Sequence, residues 1–138
     1  MGPMTVNEIA RRTGVPSHTV RYYTRIGLLR PARKRDNGYK EFTAIELHRL
    51  NFIRRAQRLG FTLSEIREVL ARAARGDSPC PMVREILSRR LVENRRSLHE
   101  LTTLVQHMDA VLEQWASMQD GVPDGHAVCR LIESFSEP

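Results

Sequence analysis

The stretch that decides the fold is VNEIARRTGVPSHTVRYYTRIGLL, residues 6–29. Thr5 lies directly before this stretch, and Glu8 follows it three positions later. This is the capping-box pattern of a helix start. Gly14 ends this first helix, and a second helix runs from Ser17 to Gly27. Two short helices joined by so tight a turn predict a helix-turn-helix, with a helix hairpin that has no DNA role as the alternative.

The next stretch, residues 28–42, predicts a basic β-hairpin. It reads LLRPARKRDNGYKEF, in which Asn37-Gly38 is a strong signal for a hairpin turn. We expect Tyr39 and Phe42 to anchor the returning strand. A basic hairpin directly after a helix-turn-helix is a wing that can lie along a phosphate backbone. Its basic residues are Arg33, Lys34, Arg35 and Lys40.

Charge is divided unevenly along the chain. Residues 1–75 hold 16 Lys/Arg and 6 Asp/Glu, whereas residues 76–138 hold 6 and 10. A basic half joined to an acidic half indicates that the first half meets a polyanion. Most of these cations are Arg, whose planar fork suits phosphate groups and guanine edges. A composition that is Arg-rich without any nucleic-acid partner is the alternative.

Residues 43–76 predict a second pair of helices. Thr43 and Thr62 each precede a glutamate by three positions, so both helices begin with a capping box. The second of them should stop near Gly76. The expected buried face of the first helix consists of Ile45, Leu47, Leu50 and Ile53.

A long helix is predicted from Pro81 to Trp115, because no further Gly or Pro interrupts this stretch. At 1.5 Å per residue it would be about 50 Å long, too long to bury an apolar seam against one small domain. We therefore predict a coiled-coil homodimer, with a helix folded back on its own chain as the alternative. The seam consists of Leu91, Leu98, Leu101, Val105, Met108, Leu112 and Trp115, with Asn94 in one core position.

Composition and motifs exclude several classes of protein. Hydrophobic residues make up 41% and charged residues 28%, which argues for a folded chain rather than a disordered one. No stretch approaches the roughly 20 apolar residues of a membrane-spanning helix. The N-terminus MGPMTVNEIA lacks the regions of a secretion signal, so we expect a cytoplasmic protein. No phosphate loop, paired-histidine metal motif or nucleophile elbow is present, so no enzyme is expected.

Several of these strings together resemble the MerR family of transcription regulators. The resemblance rests on residues 6–29, on Asn37-Gly38-Tyr39, on LHRLNFIRRAQRLGFTLSEIREVL at residues 47–70, and on the long helix after residue 80. It covers nearly the whole chain. The combination of the helix-turn-helix string with a wing downstream is highly specific.

The resemblance implies a mainly α fold in three parts. They are a winged helix-turn-helix domain with a second helix-pair wing at 1–76, an antiparallel coiled-coil dimerisation helix at 77–116, and a C-terminal effector loop with a short helix at 117–138. It further implies a homodimeric transcription activator on pseudo-palindromic promoter DNA. An effector-bound dimer of this kind distorts the DNA so that RNA polymerase engages both promoter elements, at a deformation energy of a few kcal/mol.

The resemblance also assigns DNA contacts to individual positions. Tyr23 shares its spacing with Val20 and Ile26, so we expect it in the core rather than on the DNA. The expected contacts are Ser17, His18, Arg21 and Tyr22 on the recognition helix, Arg35, Asn37, Tyr39 and Lys40 on the wing, and Arg54 and Arg55 on the second helix pair.

The cysteines Cys80 and Cys129 are candidate metal ligands. The resemblance places Cys80 where sensors of divalent metals carry a cysteine, and Cys129 at the distal end of the metal-binding loop. In an antiparallel dimer, Cys80 of one subunit can meet the loop of the other. Thiolates are soft ligands that suit zinc, cadmium, mercury or lead. A further cysteine usual at the start of this loop is missing here, and His126 or, more weakly, Met118 would replace it.

Other functions remain open on the same residues. A thiol redox or electrophile sensor would use an accessible thiol, and Cys80 near a helix N-terminus suits this. A small organic inducer bound between subunits is a further alternative, and His126 as plain loop surface is another. A coiled-coil adaptor that binds no DNA would leave the basic wing unexplained.

Overall fold

Helices dominate the chain. The computed structural model describes residues 2–33 and 38–137, and over these residues it contains six helices and one two-stranded sheet. The predicted order of a helix-turn-helix, a hairpin, a helix pair and a long helix is confirmed. The elements are α1 (Val6–Thr13), α2 (Ser17–Arg25), β1 (Ala32–Arg33), β2 (Lys40–Glu41), α3 (Ala44–Arg58), α4 (Leu63–Ala74), α5 (Cys80–Trp115) and α6 (Arg130–Glu133).

The turn between α1 and α2 is built from local sequence signals. Thr5 caps α1, because its hydroxyl accepts a hydrogen bond from the Glu8 backbone at 3.2 Å. Gly14 ends the helix with a φ of 75°, a left-handed conformation that glycine adopts at little cost. Helix α2 begins at Ser17 as predicted, although its N-cap residue is Pro16. These signals fix two short helices on either side of one turn.

The predicted hairpin is present and is fixed to the N-terminus. Strands β1 and β2 pair antiparallel, with Ala32 opposite Glu41. Phe42, directly after β2, is fully buried and exchanges two backbone hydrogen bonds with Met4, of 2.7 and 2.8 Å. The prediction that Tyr39 also anchors the strand is wrong, because its side chain is 72% exposed. Phe42 attaches this strand to the core.

Both helices of the second pair begin with the predicted capping boxes. The carboxylate of Glu46 accepts the Thr43 backbone N–H at 2.8 Å, and Glu65 accepts that of Thr62 at the same distance. Each threonine side chain in turn accepts a backbone N–H from the first turn of its own helix. Two otherwise unpaired donors are thus satisfied at each helix start.

Over the described residues, one apolar core connects the hairpin with the first four helices and the start of α5. Burying such a side chain contributes roughly 1.5–3 kcal/mol relative to leaving it exposed. Ile45, expected on the buried face of α3, is 73% exposed, so that prediction is wrong. The largest fully buried side chains are Phe42, Ile9, Leu28, Leu29, Leu50, Ile53, Ile66 and Val20.

Glu65 gives this core a predictable pH dependence. Its carboxylate accepts the Thr62 backbone N–H and, at 2.6 Å, the Arg90 guanidinium, and these bonds lower the pKa of Glu65. A lowered carboxyl pKa increases the free energy of unfolding at pH values above the ordinary pKa of Glu. This contribution is lost as the pH falls from about 5 toward 3. We expect Glu65→Gln to reduce the free energy of unfolding by about 1 kcal/mol at neutral pH. The difference from wild type should shrink in acid.

Urea unfolding of both proteins over a pH series measures this difference. Glu68→Gln is the matched control, because Glu68 is exposed on the same helix and pairs with Arg72 one turn away. Exposed pairs of this kind contribute little to stability. A stability difference between wild type and Glu65→Gln that stays constant with pH would contradict the assignment.

The chain divides into two compact units, Met1–Arg90 and Leu91–Pro138. In the first unit, Ile86 is buried in the core and Met82 and Val83 pack against it. The first turns of α5 therefore belong with the helix-turn-helix. The predicted domain boundary was residue 76, whereas the first compact unit continues to Arg90 and includes these turns.

The second unit contains the rest of α5, the C-terminal loop and α6. The ring of Phe135 lies 5.3 Å from the ring of His107 on α5. The Ser134 hydroxyl contacts the Met118 sulfur at 4.0 Å. These contacts hold the C-terminal segment against α5. Over the part of the chain that the structure describes, no helix has the length and apolar character needed to cross a bilayer.

Candidate nucleic-acid interface and thiol sites

Helix α2 presents most of the predicted recognition residues to solvent. His18, Arg21 and Tyr22 are exposed. Ser17 is half-buried, and its hydroxyl donates to Asn7 Oδ1 at 3.0 Å. This bond connects the start of α2 to α1, so Ser17 contributes to the placement of the recognition helix.

A groove of about 530 Å³ lies between α2, the wing and the start of α1. Arg21 of α2 lines this groove together with Tyr39 and Lys40 of the wing. Two cations beside an exposed phenol form a surface that suits a phosphate backbone. The predicted wing contacts Arg35 and Asn37 lie outside the described residues. The groove therefore joins three of the predicted contacts from two separate elements.

A pair of tyrosines separates the exposed and buried faces of α2. The Tyr22 ring lies 6.1 Å from the Tyr23 ring, and the Arg25 guanidinium lies 5.3 Å from the Tyr22 ring centre, a cation–π distance. Tyr23 is buried as predicted, and its hydroxyl donates to Gln57 Oε1 at 3.0 Å. Arg25 is absent from the predicted contacts, although its three-residue spacing from Tyr22 places both on one helical face.

The two α3 arginines predicted to bind phosphate lie in different surroundings. Arg54 is half-buried and donates a hydrogen bond to the Thr13 carbonyl at the end of α1. Arg55 is exposed and lines a second groove, which also holds Leu59 and Cys80. Neither side chain is among those that line the α2–wing groove. Their contacts with phosphate stay predictions.

The thiol of Cys80 is exposed at the first residue of α5. The backbone N–H of Cys80 donates to the Ser78 hydroxyl at 3.4 Å. The groove beside it, of about 490 Å³, is lined mainly by apolar side chains of α3, α4 and the start of α5. An exposed thiol at the first residue of a helix is accessible to a metal ion or an oxidant.

The C-terminal loop holds His126 and Cys129 in one short structured segment. Asp124 Oδ1 accepts the backbone N–H groups of His126 and Ala127, each at 2.9 Å. These two bonds lower the pKa of Asp124, so its carboxylate keeps them at a pH below the usual Asp range. His126 is exposed, and Cys129 is half-buried directly before α6.

The predicted metal ligands are distributed over both units. Cys80 belongs to the first unit, whereas Met118, His126 and Cys129 belong to the second. Met118 is half-buried, and its sulfur accepts the Ser134 hydroxyl. Within residues 2–33 and 38–137, no group of three or more His, Cys, Asp or Glu side chains is arranged to hold a metal ion.

The apolar seam of α5 is exposed along the second unit. The exposed fraction of its aliphatic side chains ranges from 48% at Leu91 to 64% at Leu98, whereas Trp115 is half-buried. At its end, Trp115 lines an apolar groove of about 450 Å³ together with Ile132 of α6 and Phe135. A continuous apolar surface of this length marks an interaction surface.

Comparison with known proteins gives matches to the MerR family along most of the chain. Residues 4–73 match the family described as MerR HTH family regulatory protein, and residues 47–111 match the one described as MerR, DNA binding. The HTH-type transcriptional regulator HmrR of Rhizobium leguminosarum bv. viciae is 36% identical over 134 residues, covering 97% of this chain and 98% of that protein.

Two further matches share most of their length with this chain. Heavy metal-dependent transcription regulator 2 of Rhizobium meliloti is 31% identical over 133 residues, which cover 96% of this chain and 86% of that protein. The crystal structure of PbrR691 from Ralstonia metallidurans CH34 in complex with lead(II) superposes with a TM-score of 0.73 at 24% identity. The superposition covers 95% of this chain and 98% of PbrR691, and it shows that the two chains share a fold.

Proposed function

The chain belongs to the MerR family of DNA-binding transcription regulators, and on that premise we propose that α2 and the wing read a promoter sequence. The observation that carries the proposal is the groove that brings Arg21 beside Tyr39 and Lys40. An arginine on a recognition helix can bind base edges in the major groove, while wing residues hold the phosphate backbone. The other proposed contacts are Ser17, His18, Tyr22, Arg35, Asn37, Arg54 and Arg55.

Replacing Arg21 with Ala should weaken binding to the preferred DNA at least about tenfold, or about 1.4 kcal/mol. The loss follows from removing one charged donor from the base or phosphate that it contacts. A duplex that the wild-type protein selects from a randomised library supplies the probe, and fluorescence anisotropy measures the affinity.

The matched control for Arg21→Ala is Arg96→Ala. Arg96 is an exposed residue of α5 in the second unit, so its replacement removes the same charge from a different part of the chain. Unchanged affinity in Arg21→Ala would remove Arg21 from the interface. A wild-type protein that enriches no sequence would overturn the proposed recognition of promoter DNA.

We propose that the regulator is a homodimer joined along the α5 seam. The exposure of this seam in the single chain supports the proposal, because burial against a second copy removes the apolar surface from water. The family resemblance indicates an antiparallel arrangement of the two helices. A two-fold dimer presents two copies of α2, which matches a pseudo-palindromic DNA site.

We propose that the effector acts by changing the shape of the bound promoter. Untwisting or bending a DNA site costs a few kcal/mol, which differential binding of an effector to two forms of a dimer can supply. RNA polymerase then engages promoter elements that are otherwise misaligned. Dyes at the two ends of the selected duplex report this change, and energy transfer that stays constant on effector addition would contradict it.

We propose that the effector is a thiophilic divalent metal such as zinc, cadmium, mercury or lead. The proposed ligands are Cys80 of one subunit and His126 and Cys129 of the other. The donor set fits such an ion, because both thiols are free and soft ligands favour it. The heavy metal-dependent relative supports the same conclusion. Anaerobic titration with cadmium should give a thiolate-to-metal charge-transfer band that saturates near one ion per protomer, and its absence would overturn the proposal.

Thiol redox or electrophile sensing is the second candidate, and the exposure of Cys80 favours it. A change in DNA binding on adding an oxidant without metal would support this function. The apolar groove beside Trp115 and Phe135 favours a third candidate, a small organic inducer. Coverage of this groove by a second copy would place such an inducer between the two subunits.

A further inference from the structure

Three turns in the first unit combine a glycine with an arginine. The glycines have positive φ values, of 75° at Gly14, 83° at Gly27 and 95° at Gly60. At each turn, an arginine from a later helix donates a hydrogen bond to a backbone carbonyl. The donor and acceptor pairs are Arg54 of α3 with Thr13, Arg67 of α4 with Ile26 at 2.5 Å, and Arg90 of α5 with Gly60.

This arrangement satisfies carbonyl groups that the end of a helix leaves unpaired. These carbonyls carry partial negative charge, so a guanidinium there gains a dipole interaction as well as a hydrogen bond. A Cβ atom at Gly27 would lie 3.9 Å from the Arg67 guanidinium, and one at Gly14 would lie 3.8 Å from that of Arg54. The guanidinium groups of Arg54 and Arg67 therefore lie directly over their turns and attach them to another helix.

We propose that Arg67 is a positioning residue for the recognition helix. It acts through Ile26, the C-cap of α2, and so fixes the end of α2 against α4. This inference rests on the proposed function of α2 in reading DNA, since the orientation of the helix matters where it places Arg21 against bases. A recognition helix that is already fixed in the free protein loses less conformational freedom on binding.

Arg90 makes the corresponding contact from α5. Its guanidinium donates to the Gly60 carbonyl and to Glu65 Oε2, at the turn where α4 begins. Helix α4 then carries Arg67, which holds the end of α2. A series of direct contacts thus runs from α5 through the start of α4 to the recognition helix. These contacts lie within the first unit and connect the start of α5 to the recognition helix.

Salt dependence separates a positioning residue from a phosphate contact. Removing a phosphate contact weakens binding to all sequences and lowers the slope of log affinity against log salt by about one. Removing a positioning contact weakens binding to the preferred sequence and leaves the slope unchanged. The distinction is necessary because Arg67 is exposed, and an exposed arginine can also contact phosphate directly.

Arg67→Ala tests the role, with Arg72→Ala as the matched control. Arg72 lies on the same helix with 41% of its side chain exposed and pairs with Glu68 at 3.4 Å, so both variants lose one charge from α4. On the duplex selected by wild type, Arg67→Ala should lose about tenfold in the ratio of specific to non-specific affinity. Its salt slope and its affinity for unselected duplex should match wild type, as should all values of Arg72→Ala.

Hydrogen exchange in the DNA-free protein gives a second readout. The Leu28 N–H donates to the Tyr23 carbonyl at 2.9 Å at the end of α2. This amide should exchange faster in Arg67→Ala than in Arg72→Ala, because the end of α2 is no longer held. If Arg67→Ala does not fold, Arg67→Lys replaces it, because lysine keeps the charge but lacks the planar guanidinium, and its specificity ratio should fall and its exchange rate should rise relative to Arg72→Ala.

Two results would overturn the positioning role while the wild type still selects a sequence. One is a salt slope lower by about one in Arg67→Ala, which would make Arg67 a phosphate contact. The other is a specificity ratio and an exchange rate equal to those of Arg72→Ala. A wild-type protein that selects no sequence would overturn the proposed function and the role of Arg67 together.

Discussion

Leu98→Glu combined with Leu101→Glu should convert the protein into a monomer. Both side chains lie in the α5 seam and are exposed in the single chain, so a second copy is the proposed source of their burial. Each subunit contributes both residues, and each lost leucine removes roughly 1.5–3 kcal/mol of apolar burial. The dissociation constant of the dimer should therefore rise at least about a thousandfold. Analytical ultracentrifugation measures it directly.

Val92→Glu combined with Thr103→Glu is the matched control for the seam variant. Both positions are exposed on α5 but lie off the seam spacing, and the two variants gain the same negative charge. The control should remain dimeric, and circular dichroism should show equal helix content in both. A seam variant that sediments as a dimer would place the interface elsewhere on the chain.

The same pair of variants connects dimerisation to DNA binding. A pseudo-palindromic site offers two half-sites, and a dimer binds both at the cost of one association event. The monomeric seam variant should therefore lose most of its affinity for the selected duplex, although its helix-turn-helix is unchanged. Retained affinity in a monomer would show that one α2 helix is sufficient for recognition.

Element ends were predictable because their signals are local. Thr62 and Glu65 lie within one turn, so the capping box depends on backbone geometry that the sequence spacing alone determines. Gly14 ends α1 for a similar reason, since a left-handed residue at that point favours glycine. The long α5 followed from the absence of helix-breaking residues between Pro81 and Trp115.

Side-chain placement was less predictable where tertiary contacts decide it. Ile45 shares the apolar spacing of α3 but lies in its first turn, at the rim of the core, and is exposed. Tyr39 was expected to support the hairpin, whereas Phe42 supplies the buried contact. Arg54 has a long side chain, and helical periodicity does not show that it reaches the Thr13 carbonyl. Periodicity gives the direction of a Cβ atom and not the position of a distant guanidinium.

The candidate sites were predictable to different degrees. Arg21 and Lys40 could be grouped from the order of helix and wing, because a hairpin that follows the recognition helix lies near it. The proposed metal ligands could not be grouped from the chain alone, because Cys80 and Cys129 belong to different compact units. The resemblance to MerR regulators provides a subunit arrangement that would bring them together, as a hypothesis.

Cys80→Ser and Cys129→Ser should each abolish the cadmium charge-transfer band. Each variant removes one of the two proposed thiolate ligands from both sites of the dimer, and serine oxygen is a poor ligand for a soft metal. Serine is close in size to cysteine, so circular dichroism and sedimentation should match wild type. A full band in either variant would remove that cysteine from the proposed site.

Refolding the two variants together decides whether the site joins two subunits. In a mixed dimer, Cys80 of one subunit meets Cys129 of the other at one site, while the second site lacks both thiols. Random pairing makes about half of the dimers mixed, so about a quarter of the wild-type band should return. Ligands drawn from a single chain would leave every site incomplete, and no band would return. Recovery of the band on mixing therefore requires metal binding across the dimer, which is the physical basis for an ion to change dimer geometry and the DNA bound to it.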